Sequence, residues 1–142
     1  MEIEQPMPIA PDEPVRNLIT RPAVLVHLDD SLRRLAETFV GDSIGAAVVK
    51  GTNPPALVSE RDVVRAISEG EDLDGARVSD VMTEDVLVAS PDDKVLDVAY
   101  RMLDNEIRHV PVVEDGVVIG IVSGRDALRV FADEARETRE SS

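Results

Sequence analysis

One stretch of this chain occurs twice, and that repeat constrains the fold more than any other feature. Setting VRNLITRPAVLVHLDDSLRRLAETFV, from Val15, over VSDVMTEDVLVASPDDKVLDVAYRML, from Val78, brings Val15 onto Val78 and Thr20 onto Thr83. The same alignment brings Asp29-Asp30 onto Asp92-Asp93, Ala36 onto Ala99 and Ile44 onto Ile107. After one added residue in the second copy it continues, so that Ser59, Arg61, Asp62 and Arg65 fall on Ser123, Arg125, Asp126 and Arg129. A unit this short is marginal alone, so the two copies are expected to share a core.

Each copy reads in the same order. A short apolar run, residues 23–26 or 86–89, predicts a strand that ends at a helix start. In the second copy Ser90 is expected as N-cap with Pro91 at the first helical position. The helix carries apolar residues at helical spacing: Leu32, Leu35, Ala36, Phe39 and Val40, then Val95, Val98, Ala99, Met102 and Leu103. Two strands follow, at 46–49 and 56–58 around KGTNPP, and at 110–113 and 117–122 around Glu114-Asp115-Gly116, a hairpin signal. A second helix opens at Ser59 or Ser123. The pattern predicts an α/β (α+β) fold of two tandem β-α-β-β-α repeats. The expected divisions are a flexible segment at 1–13, repeats at 14–74 and 75–135, and a flexible tail at 136–142.

Composition narrows what such a fold can do. The 142 residues are 43% hydrophobic but only 2% aromatic, with Phe39, Phe131 and Tyr100 the aromatic residues, so the core must be aliphatic. With no cysteine, disulfides, thiolate metal sites and cysteine nucleophiles are excluded. No apolar run reaches the roughly 20 residues of a membrane span, and the acidic, proline-rich start does not resemble a signal peptide. A cytoplasmic protein is expected. Asp plus Glu number 29 against 15 Lys plus Arg, a net charge of −14, which repels nucleic acid and anionic membranes. Only Lys50 and Lys94 are lysines. Two readings stand: a halophilic, high-salt cytoplasm that screens self-repulsion, or an acidic protein from an arginine-favouring organism.

The most informative local feature is Ser-x-x-Asp, as Ser59-Glu60-Arg61-Asp62 and Ser123-Gly124-Arg125-Asp126. Read structurally, it is a capping box that satisfies the first amides of a helix. Read functionally, a strand entering a helix offers free amides to an anion. The aspartate can accept from vicinal ribose hydroxyls, as acidic residues do in dinucleotide folds. Arg61 and Arg125 can meet phosphate oxygens.

From about Val15 to Glu134 the chain resembles a tandem pair of cystathionine β-synthase (CBS) domains. The residues that carry the likeness are VSDVMTEDVLVASPDDKVLDVAYRML, IRHVPVVEDGVVIGIVSGRDAL, and in the first copy IGAAVV and LVSERDVV. The resemblance implies a Bateman module: two repeats packed as a pseudo-two-fold pair, with two clefts between them. Such clefts take adenosine-containing ligands (AMP, ADP, ATP or S-adenosylmethionine), the motif aspartate holding ribose. Carried over, the second-copy cleft would use Thr83, Val88, Ile107, Arg108, His109, Ser123, Arg125 and Asp126. The first-copy cleft would use Thr20, Leu25, Ile44, Gly45, Ala46, Ser59, Arg61 and Asp62. The copies depart unequally from the pattern. Where the second has Gly120, Pro111 and Arg108-His109, the first has Ala56, Val48 and Gly45-Ala46. The second-copy cleft is therefore expected to be the better nucleotide site.

His27 has no counterpart and is expected at the surface near a helix start. His109 reads either as a half-buried strand residue or as a pH-sensitive phosphate contact. Arg108 reads as a phosphate contact or a solvent-facing strand charge. The paired aspartates Asp29-Asp30 and Asp92-Asp93 are expected to start helices, and Met82 to lie in the core. No P-loop, nucleophile elbow or HExxH helix is present, and no enzyme activity, required cofactor or metal is expected. Two function classes remain. One is a stand-alone regulatory module that binds an adenosyl ligand and signals to an unknown protein partner, without nucleic acid or membrane. The other is a dimerising structural or interaction module with degenerate clefts. The family also implies a homodimer formed through helices.

Overall fold

The computed structural model describes residues 7–140. Residues 22–87 form one compact unit, and residues 7–21 together with 88–140 form the other.

The contiguous unit contains β1 (Leu25–Val26), α1 (Leu32–Asp42), β2 (Ala46–Val49), β3 (Ala56–Ser59), α2 (Glu60–Ser68) and the single turn α3 (Val78–Val81). β1 pairs parallel with β2, and α1 supplies the crossover that parallel pairing requires. β2 pairs antiparallel with β3, placing Ala46 opposite Ser59. β2 is buried along its whole length. Leu32, Leu35 and Phe39 from α1, Val63 and Ala66 from α2, and Val78 close over the sheet, with Met82 packed at the margin. Each such fully buried Leu or Val stabilises the unit by about 1.5–3 kcal/mol.

The second unit holds a 3-10 turn (Val15–Leu18), α4 (Val95–Asp104), β4 (His109–Glu114), β5 (Val117–Ser123) and α5 (Gly124–Glu140). β4 and β5 form the expected hairpin, and Asp115 and Gly116 both take the left-handed conformation that a tight two-residue turn needs (φ 51° and 78°). The strand expected at 86–89 is reduced to one parallel bridge, Ala89 with Val112. Pro111 explains part of the difference. Val48 donates its N–H to the Val24 carbonyl at 2.9 Å in the other copy, but Pro111 has no N–H to give.

The first helix of each copy also starts differently from expectation. α4 begins at Val95, not behind Ser90 and Pro91, and Ser90 N–H donates instead to the Asp93 carboxylate at 2.9 Å. The first amides of α4, on Val95 and Leu96, donate to the carbonyls of Glu13 (3.0 Å) and Pro11 (2.9 Å). In the contiguous unit, Leu32 and Arg33 donate in the same way to Ala76 (3.2 Å) and Leu73 (3.0 Å). A helix leaves its first four amides without intrahelical partners, and here the segment leading into one copy supplies carbonyls to the other. Val15 N–H to Asp93 and Val78 N–H to Asp30 repeat the exchange, at 2.8 and 2.9 Å. The packed units therefore divide the chain differently from the repeats read at 14–74 and 75–135.

Of the segments expected to be flexible, residues 1–6 and 141–142 lie outside the described residues. Pro11 and Glu13 carry two of the helix-start contacts, and α5 continues through 136–140. No described helix is long and apolar enough to cross a membrane.

Candidate functional site

Both second helices follow their strands without a loop. Ser59 is extended (φ −130°, ψ 167°) and the next residue is already helical. Its N–H donates to Asp62 Oδ2 at 2.8 Å and its hydroxyl to the same oxygen at 3.2 Å. At the second start, Ser123 N–H and hydroxyl donate to Asp126 Oδ2 at 2.8 and 2.9 Å, and Asp126 N–H returns a bond to the Ser123 hydroxyl at 3.1 Å. The capping box is thus formed in both copies. It uses one oxygen of each carboxylate. The other oxygen of Asp126 accepts no hydrogen bond among the described residues, while Oδ1 of the buried Asp62 lies 3.9 Å from the Arg65 guanidinium.

The strand before each motif strand lies against the helix start. Glu60 N–H donates to the Gly45 carbonyl at 3.0 Å, and Gly124 N–H to the Arg108 carbonyl at 2.8 Å. Register places Ala46 across from Ser59 and His109 across from Ser123. Ile44-Gly45-Ala46 and Ile107-Arg108-His109 therefore sit beside their own motifs, with Ile44, Ile107 and His109 half-buried and Arg108 exposed. Leu25 and Val88 occupy the same position of the first strand segment in the two copies. Both are apolar and exposed, at 56% and 43%.

The two threonines are exchanged relative to expectation. Thr83 joins the outer edge of β3, its N–H donating to the Leu57 carbonyl (2.8 Å) and Leu57 N–H donating back (3.0 Å). It lies in the unit of Ser59 and Asp62, while Thr20 lies in the unit of Ser123 and Asp126. The resemblance had grouped Thr83 with Ser123 and Asp126, and Thr20 with Ser59 and Asp62. The cause is the exchange of lead-in segments, a tertiary contact with no local sequence signal. The one usable hint was size. Next to Thr20, Ile19 approaches Gly120 so closely that a β-carbon there would lie 2.7 Å from it.

The cations deserve comparison across the chain. Arg16, Arg33, Arg34, Arg65, Arg101 and Arg136 each meet a carboxylate. Arg61 and Arg125, exposed on the first turns of α2 and α5, and Arg108 make no side-chain contact to any acid among the described residues. Arg77, Arg129, Lys50 and Lys94 likewise meet no carboxylate among the described residues, so the motif arginines share this with other cations of the chain.

The paired aspartates form turns before the first helices. Asp30 accepts from His27 N–H at 3.0 Å, leaving His27 exposed as expected. Asp93 is held below the usual carboxylate range, chiefly by the Ser90 N–H and also by the Arg101 guanidinium, against the opposing effect of burial. No group of three or more His, Asp or Glu among the described residues is placed to hold a metal ion.

Two small mixed α+β units, each with an extended Ser-x-x-Asp strand turning straight into a helix, define a tandem repeat of one module. The chain belongs to the CBS domain family, whose model matches residues 6–69 and 78–133. It is 32% identical over 125 residues to an uncharacterized protein of Methanocaldococcus jannaschii, covering 87% of this chain and 44% of that protein. The chain spans about half the length of the curated relatives it matches. The CBS domain protein PAE2072 from Pyrobaculum aerophilum, solved complexed with AMP, superposes with a TM-score of 0.74 at 29% identity, over 87% of this chain and 98% of that one. The CBS domain pair of protein MJ0100 shares the fold, with a TM-score of 0.78 at 24% identity over 87% and 99% of the two chains.

Proposed function

We propose that the chain is a regulatory module that binds an adenosine-containing ligand at its Ser-x-x-Asp helix starts and passes that occupancy to a protein partner. The ligands that fit are AMP, ADP, ATP and S-adenosylmethionine. The observation that carries this reading is the aspartate at each strand-to-helix start whose cap uses one of its two oxygens, with an exposed arginine beside it. The AMP held by the Pyrobaculum relative supports the same ligand class.

In this reading Asp62 and Asp126 accept from ribose hydroxyls. Ser59 and Ser123 hold those carboxylates in place, and Arg61, Arg125 and Arg108 meet phosphate. Leu25 with Ile44, and Val88 with Ile107, offer aliphatic walls to adenine, and the hydroxyls of Thr20 and Thr83 its polar edge. Of the three aromatic residues, Phe39 is buried in the core, and Tyr100 and Phe131 belong to α4 and α5. No reaction is assigned to the chain.

A second reading, a dimerising interaction module, is favoured by a different observation. Val40 and Leu103 are exposed at equivalent positions (82% and 73%), as are Val64 and Leu128 (65% and 67%). A homodimer through these helix faces is compatible with either reading, and sedimentation velocity that finds only monomer would remove it. Calorimetric titration of AMP, ATP and S-adenosylmethionine against wild type and Asp126→Ala separates the two. Loss of the cap costs about 1 kcal/mol under both. Only the ligand-binding reading expects saturable binding that the variant weakens. A folded wild-type protein that binds none of the three would leave the interaction module.

A further inference from the structure

The chain contains two Asp-Gly pairs, and their surroundings differ. Asp74-Gly75 lies in the segment leading to α3. Arg33 holds both carboxylate oxygens of Asp74, at 2.7 and 3.2 Å, and its guanidinium keeps that carboxyl below the usual carboxylate range. Asp74 N–H donates to Asp72 Oδ1 at 3.1 Å, and Gly75 N–H donates to the Asp72 carbonyl at 3.2 Å. A β-carbon on Gly75 would lie 3.0 Å from Asp72 Oδ2, so the turn is also crowded. Asp115-Gly116, at the tip of the β4–β5 hairpin, has none of these restraints. Both residues are exposed. The Asp115 carboxylate has no hydrogen-bond or cationic partner among the described residues, and the Gly116 N–H has no acceptor among them. A β-carbon on Gly116 would meet nothing within 4 Å.

From this contrast we propose that Asp115 is a modification site, at which the folded chain converts spontaneously to isoaspartate. The Gly116 nitrogen attacks Cγ of the neutral Asp115 carboxyl. The Cγ–N bond forms, the Gly116 amide proton and the carboxyl hydroxyl leave together as water, and a cyclic succinimide remains. Water then opens the ring. Breaking the new Cγ–N bond restores aspartate, whereas breaking the original peptide bond leaves the main chain running through Cβ and Cγ. One water leaves and one returns, so the step needs no other reactant. It does need a neutral carboxyl, a free amide nitrogen and room for the ring. A carboxylate is a poor electrophile, so Arg33 protects Asp74 by keeping it ionised, and the bond from Gly75 N–H holds that peptide plane. Gly116 brings an unengaged amide and no side chain, at a solvent-exposed turn of the kind that opens locally at low cost. The product lengthens the main chain inside a two-residue turn. Turn length sets hairpin register, and this register runs from Glu114 opposite Val117 to His109 opposite Ser123. The modification therefore loosens the strand pairing that leads into α5, whatever the second motif binds.

The test is peptide mapping of the full chain after prolonged incubation in heavy-oxygen water at mildly acidic pH. Trypsin separates the two pairs: Asp115 is the one aspartate of peptide 109–125, and Asp74 lies in peptide 66–77. Peptide 109–125 should split into two chromatographic forms of the same sequence that carry heavy oxygen, told apart by electron-transfer fragmentation between Asp115 and Gly116. Peptide 66–77 should convert several-fold more slowly. In urea, where the chain is unfolded, both pairs should convert alike. Asp115→Glu should abolish the conversion, because the larger ring closes poorly. Glu106 already adopts φ 54° in this chain, so a glutamate is expected to fit the turn, and circular dichroism checks the fold of each variant. Arg33→Gln should raise the conversion of Asp74 several-fold, and aged wild type should melt below aged Asp115→Glu. Conversion of Asp115 no faster than that of Asp74 in the folded chain would overturn the proposal. An Asp74 rate unmoved by Arg33→Gln would overturn the account of why the two pairs differ.

Discussion

At the scale of single residues, the copies solve one packing problem in two ways. Gly120 accepts the side chain of Ile19 at a distance that excludes a β-carbon, the nearest approach being 2.7 Å. The equivalent positions of the other copy hold Ala56 and Met82, a small methyl and an unbranched, adaptable chain. Gly120→Ala is therefore expected to destabilise the protein by about 1–3 kcal/mol through overpacking. Ile19→Met in the same chain should restore most of that, as read by urea denaturation; a double variant no better than the single one would contradict the account. Asp93 makes a second prediction. Its folded pKa is depressed, by the Ser90 N–H first and by Arg101, so the unfolded chain binds a proton more readily. That stability is present above the unfolded value of about 3.9 and is lost as pH falls through the folded value. Asp93→Asn should melt below wild type at pH 7, and thermal melts should show the gap closing in acid.

At the scale of elements, α1 and α4 end alike. Ser43 and Glu106 both adopt φ 54°, and Ile44 and Ile107 then return their N–H groups to the Phe39 and Met102 carbonyls at 3.0 and 2.9 Å. This left-handed stop favours glycine, so Glu106→Gly should raise stability by about 0.5–1 kcal/mol, provided denaturation leaves the transition two-state. The element order was legible because apolar spacing switches between the strand and helix periods inside each copy, and β2, α2 and the 114–116 turn stand where the pattern placed them. What was not legible has one cause. The start of α4 looked local, with Ser90 and Pro91 as its signal, but its amides are capped by Pro11 and Glu13 from far along the chain. The same long-range exchange sets Thr83 against β3 and places Thr20 in the unit of Ser123. At the candidate site, Ser59, Asp62, Ser123 and Asp126 were readable from spacing. The isolation of Arg61, Arg108 and Arg125 was not, because it depends on where every carboxylate lies.

At the scale of the whole molecule, charge dominates. The ion pairs are largely exposed, such as Arg33 with Asp74 at 55% and 65% side-chain exposure, and pairs of that kind contribute little. Self-repulsion from a net charge of −14 is left to the solvent to screen. Raising KCl from about 0.1 M to 1 M, which shortens the screening length from about 10 Å to about 3 Å, should raise the melting temperature. A fall would mean that the acidic residues stabilise the fold by short-range contacts instead. The exchanged lead-in segments carry a consequence for how the chain acquires its shape. Residues 22–87 are continuous and can complete themselves as they emerge during synthesis, whereas the other unit needs both ends of the chain. Its β4–β5 hairpin is local, but the contacts of residues 7–21 with 88–140 must close a long loop, which makes it the slower partner. In pulse-labelled refolding the amide of Leu32, capped from within its own unit by Ala76, should gain protection before that of Val95, which waits for Glu13.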